Sequence, residues 1–151
     1  MFLQALLAFV ACPGVVAFLI PIWIALGSEP APGVAALTAL GAGLATLFWC
    51  VGAFYVSGKG TLAPWAPPRH LVTIGLYRFS RNPMYVGVLL TLAGWALLYR
   101  SPALAWYAAA VAVVFHLRVI FGEEPWLART HGAVWDAYKS RVPRWLWQFR
   151  R

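Results

Sequence analysis

Two short stretches gather groups able to do chemistry. Residues 75–87 read GLYRFSRNPMYVG, and residues 118–124 read RVIFGEE. The first offers Tyr77, Arg78, Arg81, Asn82, Pro83, Met84 and Tyr85; the second offers Arg118, Glu123 and Glu124. Two carboxylates beside several arginines suit a ligand that carries both charges and a diol. Leu71, Val72, Tyr77 and Tyr85 supply apolar walls for an aromatic base. A nucleoside with an amino-acid tail fits that description, and so do other zwitterions.

The elements that must hold these groups are apolar. Of the 151 residues, 62% are hydrophobic and only 11% charged, whereas a soluble domain is roughly half apolar and about a quarter charged. Residues 2–26 and 33–56 contain no basic or acidic side chain, and each exceeds the ~20 residues needed to cross a bilayer. Residues 84–99 reach spanning length if Arg100 extends its charge to the interface. Residues 102–121 are apolar up to His116 and Arg118. The expected fold class is therefore an all-α, polytopic membrane bundle of four spans, with a C-terminal amphipathic helix and a folded cytoplasmic loop. The whole chain reads as one integral membrane domain, 1–151: two spans in 1–56 and a functional core in 57–151.

Basic residues orient the bundle. The 57–82 connection holds Lys59, Arg69, Arg78 and Arg81, and the tail beyond span four is rich in arginine. The other two connections hold Glu29 and Arg100. Positive charge marks the cytoplasmic side, so both termini are expected there. The net charge of +8 then reflects topology and attraction to anionic lipids, with no nucleic-acid partner. Arginine outnumbers lysine ten to two, a composition that suits a GC-rich bacterium and hence its inner membrane.

Several features read as structural. Cys12 and Cys50 lie inside spans and are expected to fill space, so no metal site is expected. Gly41, Gly43 and Gly52 in span two should let helices approach closely. Pro13 and Pro21 should kink span one. Beyond span four, Pro125 suits the first turn of a helix whose Leu127, His131, Val134 and Tyr138 share one face, flanked by Trp126 and Trp135. Arg141 and Arg144 are expected to meet lipid headgroups. Spans three and four form an antiparallel hairpin, so Asn82 and Glu123 must lie at the same level.

The segments HLVTIGLYRFSRNPMYVG (70–87), EEPWL (123–127) and YKSRVPRW (138–145), in that order, resemble the isoprenylcysteine carboxyl methyltransferase and phospholipid methyltransferase superfamily. The similarity covers about residues 58–147. It implies a membrane methyltransferase that uses S-adenosyl-L-methionine, with a lipophilic methyl acceptor as its other substrate. By the same resemblance the cofactor contacts are Arg69, His70, Leu71, Val72, Tyr77, Asn82, Pro83, Met84, Tyr85, Glu123 and Glu124, and Arg118 and Asn82 are the catalytic candidates. Asn82 stands where the superfamily carries histidine, and asparagine cannot titrate. That tilts the expectation toward oxygen or sulfur acceptors, which need no base, over an ammonium. The alternatives are a membrane NADPH-dependent sterol or enone reductase and a non-enzymatic membrane subunit.

Overall fold

The computed structural model describes residues 10–53, 56 and 71–145, with backbone only for 10–12. Every regular element among them is helical. The first helix, α1, runs through Val10–Leu19 in π geometry and Ile20–Ile24 in α geometry. Then come α2 (Val34–Ala53), a 3₁₀ turn (Gly75–Arg78), α3 (Pro83–Leu98) and α4 (Pro102–Arg118). A π turn (Val119–Glu123) carries α4 without a break into α5 (Glu124–His131), and α6 (Ala133–Arg141) follows. Helix α2 and the continuous helix Pro102–His131 are long and apolar enough to cross a membrane; Pro13–Ile24 and Pro83–Leu98 are shorter apolar helices.

Pro21, Pro83 and Pro102 are each matched by a local solution. Pro21 offers no N–H to the carbonyl of Ala17, its α-helical partner, or of Val16, its π-helical one. Neighbouring helices fill both places: the Trp95 indole N–H donates to the Ala17 carbonyl at 3.0 Å and the Tyr107 hydroxyl to that of Val16 at 3.0 Å. Freed carbonyls in an apolar surround need such partners. Pro83 and Pro102 open α3 and α4, where a missing N–H costs nothing. Between those helices, Arg100 takes a positive φ of 47° and the Ser101 hydroxyl accepts from the Leu104 amide at 3.3 Å, closing the expected tight hairpin.

Small residues set the α2–α3 seam. A Cβ on Gly43 would sit 2.5 Å from the Thr91 backbone nitrogen, and one on Gly87 would sit 3.0 Å from that of Leu47. One on Gly94 would meet Leu40. The expectation for Gly43 holds, but Gly41 and Gly52 face open space. Of the three, only Gly43 lies on the face turned toward α3. Beside this seam Ala17, Leu47, Val88, Leu92 and Val111 form one buried cluster. Outward faces carry Trp23, Phe48, Trp49, Trp106, Val114 and Phe121, all exposed.

The C-terminal part departs from the expected single amphipathic helix. Gly132, at φ +50°, breaks it into α5 and α6 and turns the second half. Val134, expected on the packed face, is consequently exposed, and Trp135 is buried with Tyr138 and Val142 against Leu71 and Leu127.

Candidate functional site

The chain approaches α3 through an extended Ile74 and a left-handed Gly75, whose missing side chain leaves room for the Trp49 indole 2.7 Å from where a Cβ would be. The following 3₁₀ turn buries Tyr77, which packs with Val72, Cys50 and Ala53, and with Leu76 and Met84 at the margin. The Tyr77 carbonyl accepts from the Tyr138 hydroxyl at 2.7 Å, which fixes this turn to α6. Burial disfavours the phenolate and pushes the pKa of both tyrosines above the ordinary phenol range.

Residues 80–82 then meet the C-terminal strap, residues 142–145. The Arg81 amide donates to the Pro143 carbonyl at 2.9 Å, and Asn82 Nδ2 donates to the Arg144 carbonyl at 2.9 Å. The Ser80 hydroxyl also donates to the Arg144 carbonyl, at 3.4 Å, and accepts from the Asn82 amide at 3.1 Å. Pro83, buried, begins α3 immediately afterwards.

The two glutamates point to different partners. Glu124 is buried, and both its oxygens are taken: Oε1 accepts from Arg81 Nη1 at 2.7 Å and Arg144 Nε at 2.8 Å, and Oε2 accepts from Arg144 Nη2 at 2.9 Å. The Arg81 guanidinium also lies over the Trp135 ring, 5.5 Å from its centroid. Burial pulls Arg81 below its usual basicity against the opposing pull of Glu124, and the hydrogen bond to Glu124 raises that of Arg144. Arg144, expected at lipid headgroups, is thus half of a fork-to-fork ion pair.

Glu123 Oε1 accepts from the Tyr85 hydroxyl and from Arg118 Nε, the latter at 2.8 Å. Oε2 takes no hydrogen bond from the described residues, and the side chain is 32% exposed. Tyr85 stacks on Phe115 with centroids 4.2 Å apart, and the Trp145 ring stands 6.5 Å from it. Trp145 in turn donates its indole N–H to His116 Nδ1 at 3.2 Å.

The π turn explains this division of labour. In an α-helix, residues five apart are rotated by about 140° and cannot meet side by side. A π turn, with its i→i+5 bonding, stacks them and lets Arg118 reach Glu123. Its cause is local, because Pro125 has no N–H for the Phe121 carbonyl, its α-helical partner. Glu124, one residue on, then faces Arg81. The hairpin does bring Asn82, Tyr85 and the two glutamates to one end of α3 and α4, as the antiparallel arrangement requires.

Of the residues singled out in the sequence, Tyr85, Arg118 and Glu123 form one cluster. Asn82 and Glu124 join the strap, and Val72, Tyr77 and Met84 form the adjoining apolar wall. Leu71 packs under Trp135, and Arg69 and His70 lie outside the described residues. Sequence reasoning missed Phe115 and Ser80, and the roles of Trp135, Arg144 and Trp145. For the last two the clue was spacing: a basic and an aromatic residue directly after Pro143.

The sequence model of phospholipid methyltransferases matches residues 33–134, about two thirds of the chain. The chain belongs to the phospholipid methyltransferase family. No curated protein and no solved structure matches it. The family match takes in α2 through α5, including Tyr85, Arg118 and both glutamates, and ends before Trp135 and the strap. Membership makes this a member of a methyltransferase family with a lipid-related substrate. The apolar outer faces of its helices agree with a place in the membrane.

Proposed function

We propose that this phospholipid methyltransferase family member is a four-span membrane enzyme that transfers a methyl group from S-adenosyl-L-methionine to a lipophilic acceptor. The reaction is placed at the cytoplasmic face of a bacterial inner membrane, with both termini on that side. The positive charge flanking the helices supports this orientation. On the same reading Pro13–Ile24 and Pro83–Leu98 are the two short spans, completed at their ends by interfacial residues.

One observation carries the reading: Glu123 is oriented by Arg118 and by Tyr85, keeps Oε2 without a donor among the described residues, and through Tyr85 adjoins a group of rings that includes Phe115 and Trp145. Such a donor set fits the cofactor. A carboxylate oxygen accepts from ribose hydroxyls or an ammonium, and an electron-rich ring faces a cationic or aromatic group. When bound, S-adenosyl-L-methionine supplies an electrophilic methyl group.

The protein's own contribution is positioning and exclusion of water. Val72, Tyr77 and Met84 are its apolar wall, and the superfamily resemblance adds Arg69, His70 and Leu71, which precede them in the sequence. Pro83 fixes where α3 starts and therefore where Tyr85 points. On this reading Arg118, half exposed and bound through Nε to Glu123, meets an anionic part of the acceptor. Asn82 cannot take up a proton, which favours an oxygen or sulfur nucleophile that arrives ready to react over an ammonium among the carboxylate, thiol and amine acceptors.

Calorimetric titration of the detergent-purified protein with S-adenosylhomocysteine tests this. Wild type should bind, Glu123→Gln should bind roughly tenfold more weakly for a lost charge-assisted hydrogen bond, and NADPH should not bind. Folded wild-type protein that ignores S-adenosylhomocysteine would overturn the proposal, and binding of NADPH would redirect it to a reductase.

A further inference from the structure

Glu124 is next to Glu123 in sequence yet belongs to another network. Three hydrogen bonds from Arg81 and Arg144 occupy its two oxygens, and its side chain is only 10% exposed. Three of the carboxylate's roughly four acceptor sites are filled in this way, which leaves it little to offer a ligand. Everything it holds leads instead to the strap. Arg81 ties its backbone amide to Pro143, and Arg144 is gripped at both ends, by Glu124 at the guanidinium and by Asn82 and Ser80 at the carbonyl. The next residue is Trp145, whose ring is set against Tyr85 and whose indole N–H is bound to His116.

We infer that Glu124 is a positioning residue: through Arg81 and Arg144 it clamps the strap, residues 142–145, so that Trp145 closes the aromatic side of the Tyr85–Glu123 site. Asn82 shares that task, its amide being spent on the Arg144 carbonyl. A fork-to-fork pair suits this purpose better than a single contact, because two parallel hydrogen bonds fix direction as well as distance. Burial adds to the clamp: removing Glu124 leaves the Arg81 guanidinium, 9% exposed, without its ion partner. The clamp links an element inside the family match to a segment beyond its end at residue 134.

The inference rests on the cofactor reading, and the experiment separates the two. S-adenosylhomocysteine affinity is measured by calorimetry for wild type, Glu124→Gln, Arg144→Gln, the double variant and Trp145→Ala. Hydrogen exchange of the 138–145 peptide is followed in parallel. Each single variant should bind roughly tenfold more weakly, the worth of one aromatic wall. The double variant should be no worse than either single, because all act through one element. Exchange in the strap should rise in the two clamp variants. Trp145→Ala leaves the clamp intact, so it answers the question even if Glu124→Gln fails to fold. Multiplying losses in the double variant would make Glu124 a direct ligand contact and overturn the inference. So would unchanged affinity in Trp145→Ala with normal wild-type binding. A wild type that binds no S-adenosylhomocysteine would overturn the cofactor reading itself, and the closure of that site with it.

Discussion

Gly41 and Gly43 stand two residues apart on α2, and the same substitution should have opposite effects on them. At Gly43 an alanine Cβ meets the Thr91 backbone nitrogen and Oγ1 at 2.5 Å and the Gly87 carbonyl at 2.9 Å. Two of these three atoms are backbone, so no side-chain rotation relieves the overlap. The helices must part by about 1 Å, and a gap of that size forfeits a quarter to a half of each contact energy along the seam. Overpacking of this kind costs about 1–3 kcal/mol, against a gain of up to about 1 kcal/mol from alanine's better helix propensity. Gly43→Ala should therefore lose about 1–2 kcal/mol net. At Gly41 nothing lies within 4 Å, so Gly41→Ala keeps only the gain. For a chain of this size 1 kcal/mol moves the melting temperature by roughly 2–4 °C, so the variants should melt roughly 4–12 °C apart. Thermal unfolding in detergent, followed by tryptophan fluorescence, measures this. Equal melting temperatures, or a more stable Gly43→Ala, would refute the packing account.

Trp95→Phe and Tyr107→Phe each strip a donor from a carbonyl in α1 and should each cost about 1–2 kcal/mol in the same assay, with little change if water or lipid replaces the bond. Tyr138→Phe should cost about 1 kcal/mol by releasing the Tyr77 carbonyl. Folding should also weaken in alkali. Tyr77 and Tyr138 are held protonated in the folded protein, whereas an unfolded tyrosine ionises near pH 10. Their contribution is complete below pH ~10 and is lost as the pH rises beyond it, by up to about 1.4 kcal/mol per pH unit for each group. A melting temperature flat from pH 9 to 11.5 would contradict their burial. Ser101→Ala removes the cap of α4 and should cost about 1 kcal/mol, read by the same melting curve.

The sequence was most informative where a residue type has one physical use. Pro83 and Pro102 marked helix starts, the Arg100-Ser101-Pro102 turn marked a hairpin, and that hairpin alone brought Asn82 and the glutamates together. Tyr85, Arg118 and Glu123 stood among a longer set of candidates in the sequence, with nothing there to say that these three would meet. Other features turned on rotation about a helix axis, which composition does not reveal. Gly43 and Gly41 differ only in the face they occupy, and Gly132 turned α6 so that Trp135 took the buried place expected for Val134. The π turn was harder still. It follows from Pro125 withholding a donor inside a continuing helix, and a proline there reads equally well as the start of a new one. Without that turn Arg118 and Glu123 do not meet, and Arg144 has no visible reason to leave the lipid surface.

Transfer of label from S-adenosyl-L-[methyl-³H]methionine tests the central claim most directly. Native membranes carrying the wild-type protein, incubated with the labelled cofactor and extracted with chloroform, should move tritium into the organic phase. Membranes carrying Glu123→Gln at equal abundance should move far less. Tritium that never enters the organic phase above protein-free membranes, or that enters it equally with both proteins, would contradict an enzyme built around Tyr85, Arg118 and Glu123.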